Sequence, residues 1–213
     1  MSARETRTRL LRRAARADIS VSLPIADRLA AFLELLLRWN KKINLTALDK
    51  IDEAIDRLLL EPLAAVRYIQ PRAGRLIDLG SGGGSPAIPL AIALPELDLT
   101  MVEVKARKAA FLREAVRILE LPRALVETVR FEELLERHGQ RGAYTAASVR
   151  AVRLEPSTLR QIAEFLGPDG LAFFFRGPSG PSELPDTGPM AWTGTYPLLE
   201  SLRSRLTVYR RVE

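Results

Sequence analysis

The run Asp78-Leu79-Gly80-Ser81-Gly82-Gly83-Gly84 constrains this chain more than any other stretch. It closes an apolar segment, Arg75 to Leu79, that reads as a β-strand, and it precedes Ala87 to Leu94, which reads as a short buried helix. Glycine has no Cβ and accepts positive φ. A strand that leaves through Gly80-x-Gly82-x-Gly84 into a helix therefore lets the backbone approach a ligand closely. In such units an acid about 20 residues further on, at the end of the next strand, accepts hydrogen bonds from ribose hydroxyls. Glu103 stands at that place, so the pattern predicts a nucleoside-cofactor site in an α/β fold.

Two cofactors fit the loop. Read from Gly80, the third glycine of a dinucleotide fingerprint would fall on Ser85; read from Gly82, the run Gly82-x-Gly84-x-x-Ala87 satisfies that fingerprint. Pro86 counts against a pyrophosphate, because it removes a backbone donor from the helix start. Asp78 adds negative charge beside the loop, which suits an ammonium and a sulfonium better than a diphosphate. These points favour S-adenosylmethionine over a nicotinamide dinucleotide. The dinucleotide, and a glycine turn with no ligand, stay open at this stage.

Around the loop the chain divides in two. Residues 1–70 read as a helical extension. Apolar positions at helical spacing run from Ile25 through Leu29, Phe32, Leu33 and Leu36 to Leu37, after a Ser22 cap with Pro24 in the first turn. A second helical pattern starts near Asp49 and is predicted to break at Pro62. From Pro71, residues 71–213 alternate short apolar strands with helices, which predicts an α/β domain on a mainly parallel sheet. The later strands fall at Leu97 to Glu103, Leu125 to Val129, Ala146 to Val149 and Leu171 to Phe175, the last opened by a Pro168-Asp169-Gly170 turn. Helices are expected over Ala106 to Leu119, Glu132 to Arg137 and Pro156 to Leu166, and a loop over Arg176 to Pro189. Ala191 to Pro197 and Arg205 to Val212 would close the sheet as an antiparallel pair.

Composition narrows the chemistry. With 213 residues, 47% of them hydrophobic and 27% charged, the chain can bury a substantial core. It has no apolar run of about 18 residues, and its first residues lack the apolar stretch of a signal peptide, so a cytoplasmic protein with no membrane contact is expected. The absence of cysteine removes disulfides, thiolate metal sites and a catalytic thiol, and no metal is expected. The net charge of +6 is concentrated at the two ends, in Arg4, Arg7, Arg9, Arg12, Arg13 and Arg16 and in Arg203, Arg205, Arg210 and Arg211. Such clusters suit a phosphate backbone, although a solvated basic tail has the same composition.

Four stretches resemble one family. They are Trp39-Asn40-Lys41-Lys42-Ile43-Asn44-Leu45-Thr46, the loop extended through Ser85-Pro86-Ala87-Ile88-Pro89-Leu90-Ala91-Ile92, Glu103 with Lys105-Ala106-Arg107-Lys108-Ala109-Ala110-Phe111-Leu112-Arg113-Glu114, and Arg150-Ala151. Together they resemble the bacterial small-subunit rRNA guanine-N7 methyltransferases, the glucose-inhibited division protein B group, over most of the chain. The resemblance implies a Rossmann-like class I methyltransferase fold with a seven-stranded sheet and an N-terminal helical extension. It implies S-adenosylmethionine as cofactor, held at Asp78, Gly80, Gly82, Gly84, Ser85, Glu103, Phe131, Glu132 and Arg150, and it implies 16S rRNA or the small ribosomal subunit as partner of a monomeric enzyme. Arg176 stands where the family usually has lysine, and Arg150 and Arg176 are the candidate catalytic residues. Ser85, Ala87, Leu58, Glu61, Glu103 and Thr145 each differ from the residue usual in the family at their positions.

Guanine N7 carries an in-plane lone pair and no proton, so methylating it needs alignment rather than a general base. Without cysteine, pyrimidine C5 methylation by the common thiol-adduct route is unavailable. The only histidine, His138, precedes Gly139 at an expected helix end, where a place on the helix dipole explains it. A small-molecule methyltransferase, or an RNA-binding relative without catalysis, remains the alternative to rRNA methylation.

Overall fold

The computed structural model describes residues 3–70, 73–151, 155–178 and 188–212. The basic N-terminal stretch is a helix, α1 (Ala3–Arg16), whose Thr6, Leu10 and Ala14 face inward. It packs on α2 (Leu23–Asn40), where Ser22 holds the N-cap position in an extended conformation and Pro24 fills the first turn. The apolar stripe of α2 buries Leu29, Phe32, Leu33 and Leu36 completely, each contributing about 1.5–3 kcal/mol.

The expected break at Pro62 does not occur. The chain is helical from α3 (Ile51–Ile55) through a π-turn (Asp56–Leu60) into α4 (Glu61–Ala65) and a 3-10 turn at Val66–Tyr68. In the π-turn the Glu61 N–H reaches back five residues to Asp56 O. Pro62 has no N–H, and the carbonyls it would have served find other donors. Leu58 O accepts from Ser85 Oγ (2.9 Å), and Arg57 O accepts from Arg150 Nη1 (3.0 Å). With its carbonyls served from elsewhere, the helix passes through a residue that normally stops one.

The remaining elements lie within a few residues of expectation. They are β1 (Gly74–Leu79), α5 (Ala87–Ala93), β2 (Leu97–Val102), α6 (Ala106–Ile118), β3 (Ala124–Glu127), α7 (Phe131–Leu135), β4 (Tyr144–Arg150), α8 (Pro156–Phe165), β5 (Leu166–Arg176), β6 (Met190–Pro197) and β7 (Arg205–Arg211). β5 starts five residues early, because Leu166 pairs with Tyr144 before a register shift resumes pairing at Ala146 and Leu171. The Pro168-Asp169-Gly170 turn is thus a bulge inside the strand, with Asp169 at φ +59. Of the expected 176–189 loop, residues 179–187 lie outside the described residues, as do residues 71 and 72 at the expected boundary.

The sheet has seven strands in the order β3-β2-β1-β4-β5-β7-β6, parallel except at β7, which runs antiparallel to both neighbours. One face packs against α7 and α8. The other shares a continuous apolar core with α1, α2, α5, α6 and the π-turn segment. Among the described residues no helix is long and apolar enough to cross a membrane.

Candidate functional site

Strand register fixes what meets at the top of the sheet. Leu79 of β1 lies beside Val102 of β2 and Val149 of β4, and Arg150 lies beside Phe175 of β5. The residues that follow, Glu103, Gly80, Arg150 and Phe175, therefore emerge in one row at the carboxyl ends of the strands. Between β1 and β4 the winding reverses, and ligands of open α/β sheets bind in the crevice such a reversal leaves.

The loop turns back on this row. Gly80 has φ +74, a conformation costly for other residues, and a Cβ there would meet nothing within 4 Å. Gly80 and Ser81 donate their N–H groups to Val102 O, at 2.9 and 3.0 Å. The Glu103 carboxylate accepts from the Gly82 N–H on Oε2 (2.9 Å) and from the Lys105 N–H on Oε1 (2.8 Å), so it is fixed in place while each oxygen keeps a free lone pair.

Two cavities meet at Gly80. One, of about 260 Å³, is lined by Leu79, Glu103, Val104, Phe131, Glu132 and Ile162 among others. The second, of about 490 Å³, opens toward the helical extension. Its walls are apolar at Leu36, Leu45, Leu48, Leu58 and Phe175 and polar at Gly82, Ser85, Arg57, Lys108 and Arg150.

Arg150 is the most constrained polar group here. Its Nη1 donates to Glu61 Oε2 (2.9 Å) as well as to Arg57 O, and its guanidinium carbon stands 5.1 Å from the centre of the Phe175 ring. Burial pulls its pKa down, and the fully buried Glu61 opposes that shift. Nε and Nη2 of Arg150 and Oε1 of Glu61 are buried without a hydrogen-bond partner. Such orphaned donors are costly unless a ligand completes them.

Other expected site residues lie elsewhere. Asp78 lines neither cavity. Its carboxylate is buried beneath the loop, where Ser148 Oγ donates to Oδ1 (2.5 Å), and burial raises its pKa against the bonds from Ser148 and Ser81 and the charge of Arg150. Its negative charge is thus directed into the protein, away from the cofactor face. Gly84 packs against Ile88 and Leu112. Arg176 lies beside Arg205 on β7, outside both cavity linings, and burial together with Arg205 lowers its pKa. His138 is exposed in the turn beyond α7, which ends at Leu135. Thr145 donates to Arg75 O at the far end of β1.

Asn40 fastens the turn that follows α2. Oδ1 accepts from the N–H groups of Leu45 (2.8 Å) and Thr46 (3.0 Å), and Nδ2 donates to Thr46 O (3.0 Å). The 40–46 loop is thereby fixed against the larger cavity. Trp39 packs edge-on to Phe111 at 5.9 Å. Lys108, Ser148 and Phe175 were not foreseen as part of the site, and neither was Glu61 as the partner of Arg150; only the strand register and the helix packing reveal them.

A sheet of this order, with its seventh strand reversed and a glycine loop at its switch point, defines a class I S-adenosylmethionine-dependent methyltransferase. The same fold appears in the solved structure titled a putative methyltransferase yhhF from Escherichia coli, with a TM-score of 0.56 and 12% identity over 72% of this chain and 86% of that one. The particular family follows from sequence. Residues 25–189 match the family model described as rRNA small subunit methyltransferase G, and the chain belongs to that family. It is 39% identical to the ribosomal RNA small subunit methyltransferase G of Paracoccus denitrificans over 74% of this chain and 79% of that protein. It is also 39% identical to the protein of the same name from Xanthomonas axonopodis pv. citri, over 82% and 79% of the two chains.

Proposed function

We propose that this chain methylates N7 of a guanine in 16S ribosomal RNA, using S-adenosylmethionine and working as a monomer in the cytoplasm. The single observation that carries the reading is the meeting of two cavities at Gly80, one beside a fixed carboxylate and the other beside a buried guanidinium with open donors. The chemical fit is direct. Glu103 has lone pairs for ribose hydroxyls, Phe131 and Glu132 edge the adjoining cavity, and Gly80 and Gly82 leave room beside it. Ser85 and Arg150 line the second cavity. Asp78 and Gly84 act from beneath, by shaping the loop.

S-adenosylmethionine, when bound, supplies a methyl group activated by a sulfonium. Guanine N7 brings its own lone pair, so this chain has no proton to remove at the reacting atom. What it provides is placement. Leu36, Leu45, Leu48 and Leu58 exclude water from the larger cavity, Phe175 offers a ring face, and the open donors of Arg150 bind a carbonyl or carboxylate oxygen. Residues 1–70 complete the active site by walling that cavity, while residues 71–213 carry the cofactor. Arg176 serves from the carboxyl end of β5, as a charge toward the RNA.

Calorimetric titration with S-adenosylmethionine tests the cofactor. Binding that is lost in Glu103→Ala supports the reading, and the absence of both heat and thermal shift in the native protein at millimolar ligand rejects it.

A further inference from the structure

The N-terminal arginines are partly committed within the protein. Arg7 pairs with Asp27, Arg9 with Asp52, and Arg13 with Asp52 and Asp56, so half of the basic N-terminal cluster is spent fastening α1 to the rest of the protein. The cations beside the larger cavity are different. The Trp39 and Phe111 contact brings the C-terminal end of α2 next to α6. Lys41 and Lys42 sit in the loop that Asn40 fastens, immediately before Leu45 and Thr46 of the cavity wall. Lys105, Arg107 and Lys108 open α6, and Lys108 itself lines the cavity.

Four of these five are exposed and Lys108 is half-buried; none takes part in an ion pair among the described residues. The first turn of α6 contains no acidic residue, and the nearby Glu103 carboxylate accepts from the backbone N–H groups of Gly82 and Lys105 and pairs with none of these cations, which stand at the positive end of the helix dipole. Neither helix stability nor internal pairing accounts for the cluster. Its spread over two helix ends, beyond the cavity mouth, matches a ligand larger than the cavity, with regularly repeated negative charge.

We propose that Lys41, Lys42, Lys105, Arg107 and Lys108 form a rim along one edge of the cavity into which the target base enters and hold the phosphodiester backbone of the substrate RNA there. This rests on the reading of the chain as an rRNA methyltransferase. The rim positions the RNA and leaves base selection to the cavity, as phosphate contacts generally do.

The test compares two variants that each lose four charges: Lys41→Gln/Lys42→Gln/Lys105→Gln/Arg107→Gln, and Arg4→Gln/Arg12→Gln/Arg16→Gln/Arg210→Gln, all at exposed positions. Binding to purified small-subunit rRNA is measured against salt, and methyl transfer against RNA concentration. Each lost contact with a single strand lowers the slope of log affinity against log salt by roughly 0.7, so the rim variant loses about 3 from the slope. Its KM for RNA rises about tenfold or more while its affinity for S-adenosylmethionine stays within twofold, and the terminal variant keeps the native slope. A third variant with the rim lysines changed to arginine and Arg107 to lysine retains the native slope, which separates charge from folding. A rim variant with unchanged slope and KM, or equal losses in the rim and terminal variants, overturns the proposal. A native protein that transfers no methyl group to small-subunit RNA fails the underlying reading instead.

Discussion

Alanine at two glycines of the loop should have different consequences. A Cβ on Gly80 would project into open space between the two cavities, whereas one on Gly84 would lie 2.6 Å from Ile88 Cδ1 and 3.1 Å from Leu112 Cδ2. Gly80→Ala should cost about 1–2 kcal/mol of stability through its positive φ and weaken cofactor binding by about tenfold or more. Gly84→Ala carries the same strain with roughly 1–3 kcal/mol of overpacking added, so its thermal unfolding temperature falls further. Calorimetry and thermal melts on the two proteins separate a ligand-facing glycine from a packing one. Asp78 gives a prediction about pH. Its native pKa lies above the ordinary 3.8 because it is buried, so the native state holds its proton more tightly than the unfolded state does. Its contribution is complete below 3.8 and is lost as pH rises through the raised native value. Denaturant melts across that window should show native stability falling relative to Asp78→Asn, and a difference that stays constant with pH would contradict the assignment. The loop composition and Glu103 were legible because strand, turn and acid follow a fixed spacing. The direction of Asp78 was not, since β1 is covered on both faces and spacing does not say which neighbour holds the carboxylate.

At the scale of elements, the helical path from α3 to α4 joins the extension to the cofactor loop. Its carbonyls at Arg57 and Leu58 are satisfied from Arg150 and Ser85, and Glu61 supplies the counter-charge of Arg150. Glu61→Gln leaves a buried guanidinium without its carboxylate and should cost about 3 kcal/mol or more in denaturant melts. Replacing Glu61 and Arg150 together by methionine should recover most of that loss, because the pair is then removed as a unit. Equal losses in the single and double variants would show that the pair does not act together. Ser85 bonds to Leu58 and Arg150 to Glu61, so the helical path is tied separately to the loop and to β4. The sequence pattern placed nearly every strand, because apolar alternation and turn residues act locally. It failed at Pro62, since the donors that rescue the helix come from residues 27 and 93 positions away.

For the whole molecule, the extension and the sheet share one core, and the larger cavity lies where they meet. The mixed α/β architecture was readable from the alternation of strands and helices, and the reversed final pair from its two β-rich segments. The destination of the positive charge was not, because a sequence lists cations without their partners. In the fold, half of the N-terminal arginines fasten α1, while the lysines near positions 42 and 105 gather beside the cavity that Lys108 lines. The central claim is methyl transfer to a guanine N7, and chemistry specific to that product tests it most directly. Small ribosomal subunits lacking the modification are incubated with the protein and S-adenosylmethionine carrying a labelled methyl group, and the RNA is then cleaved selectively at N7-methylguanine. The account predicts label in 16S rRNA with cleavage at one guanine, both reduced by Gly80→Ala when S-adenosylmethionine is limiting. Absence of label with the native protein, or label that survives without N7-specific cleavage, would contradict it.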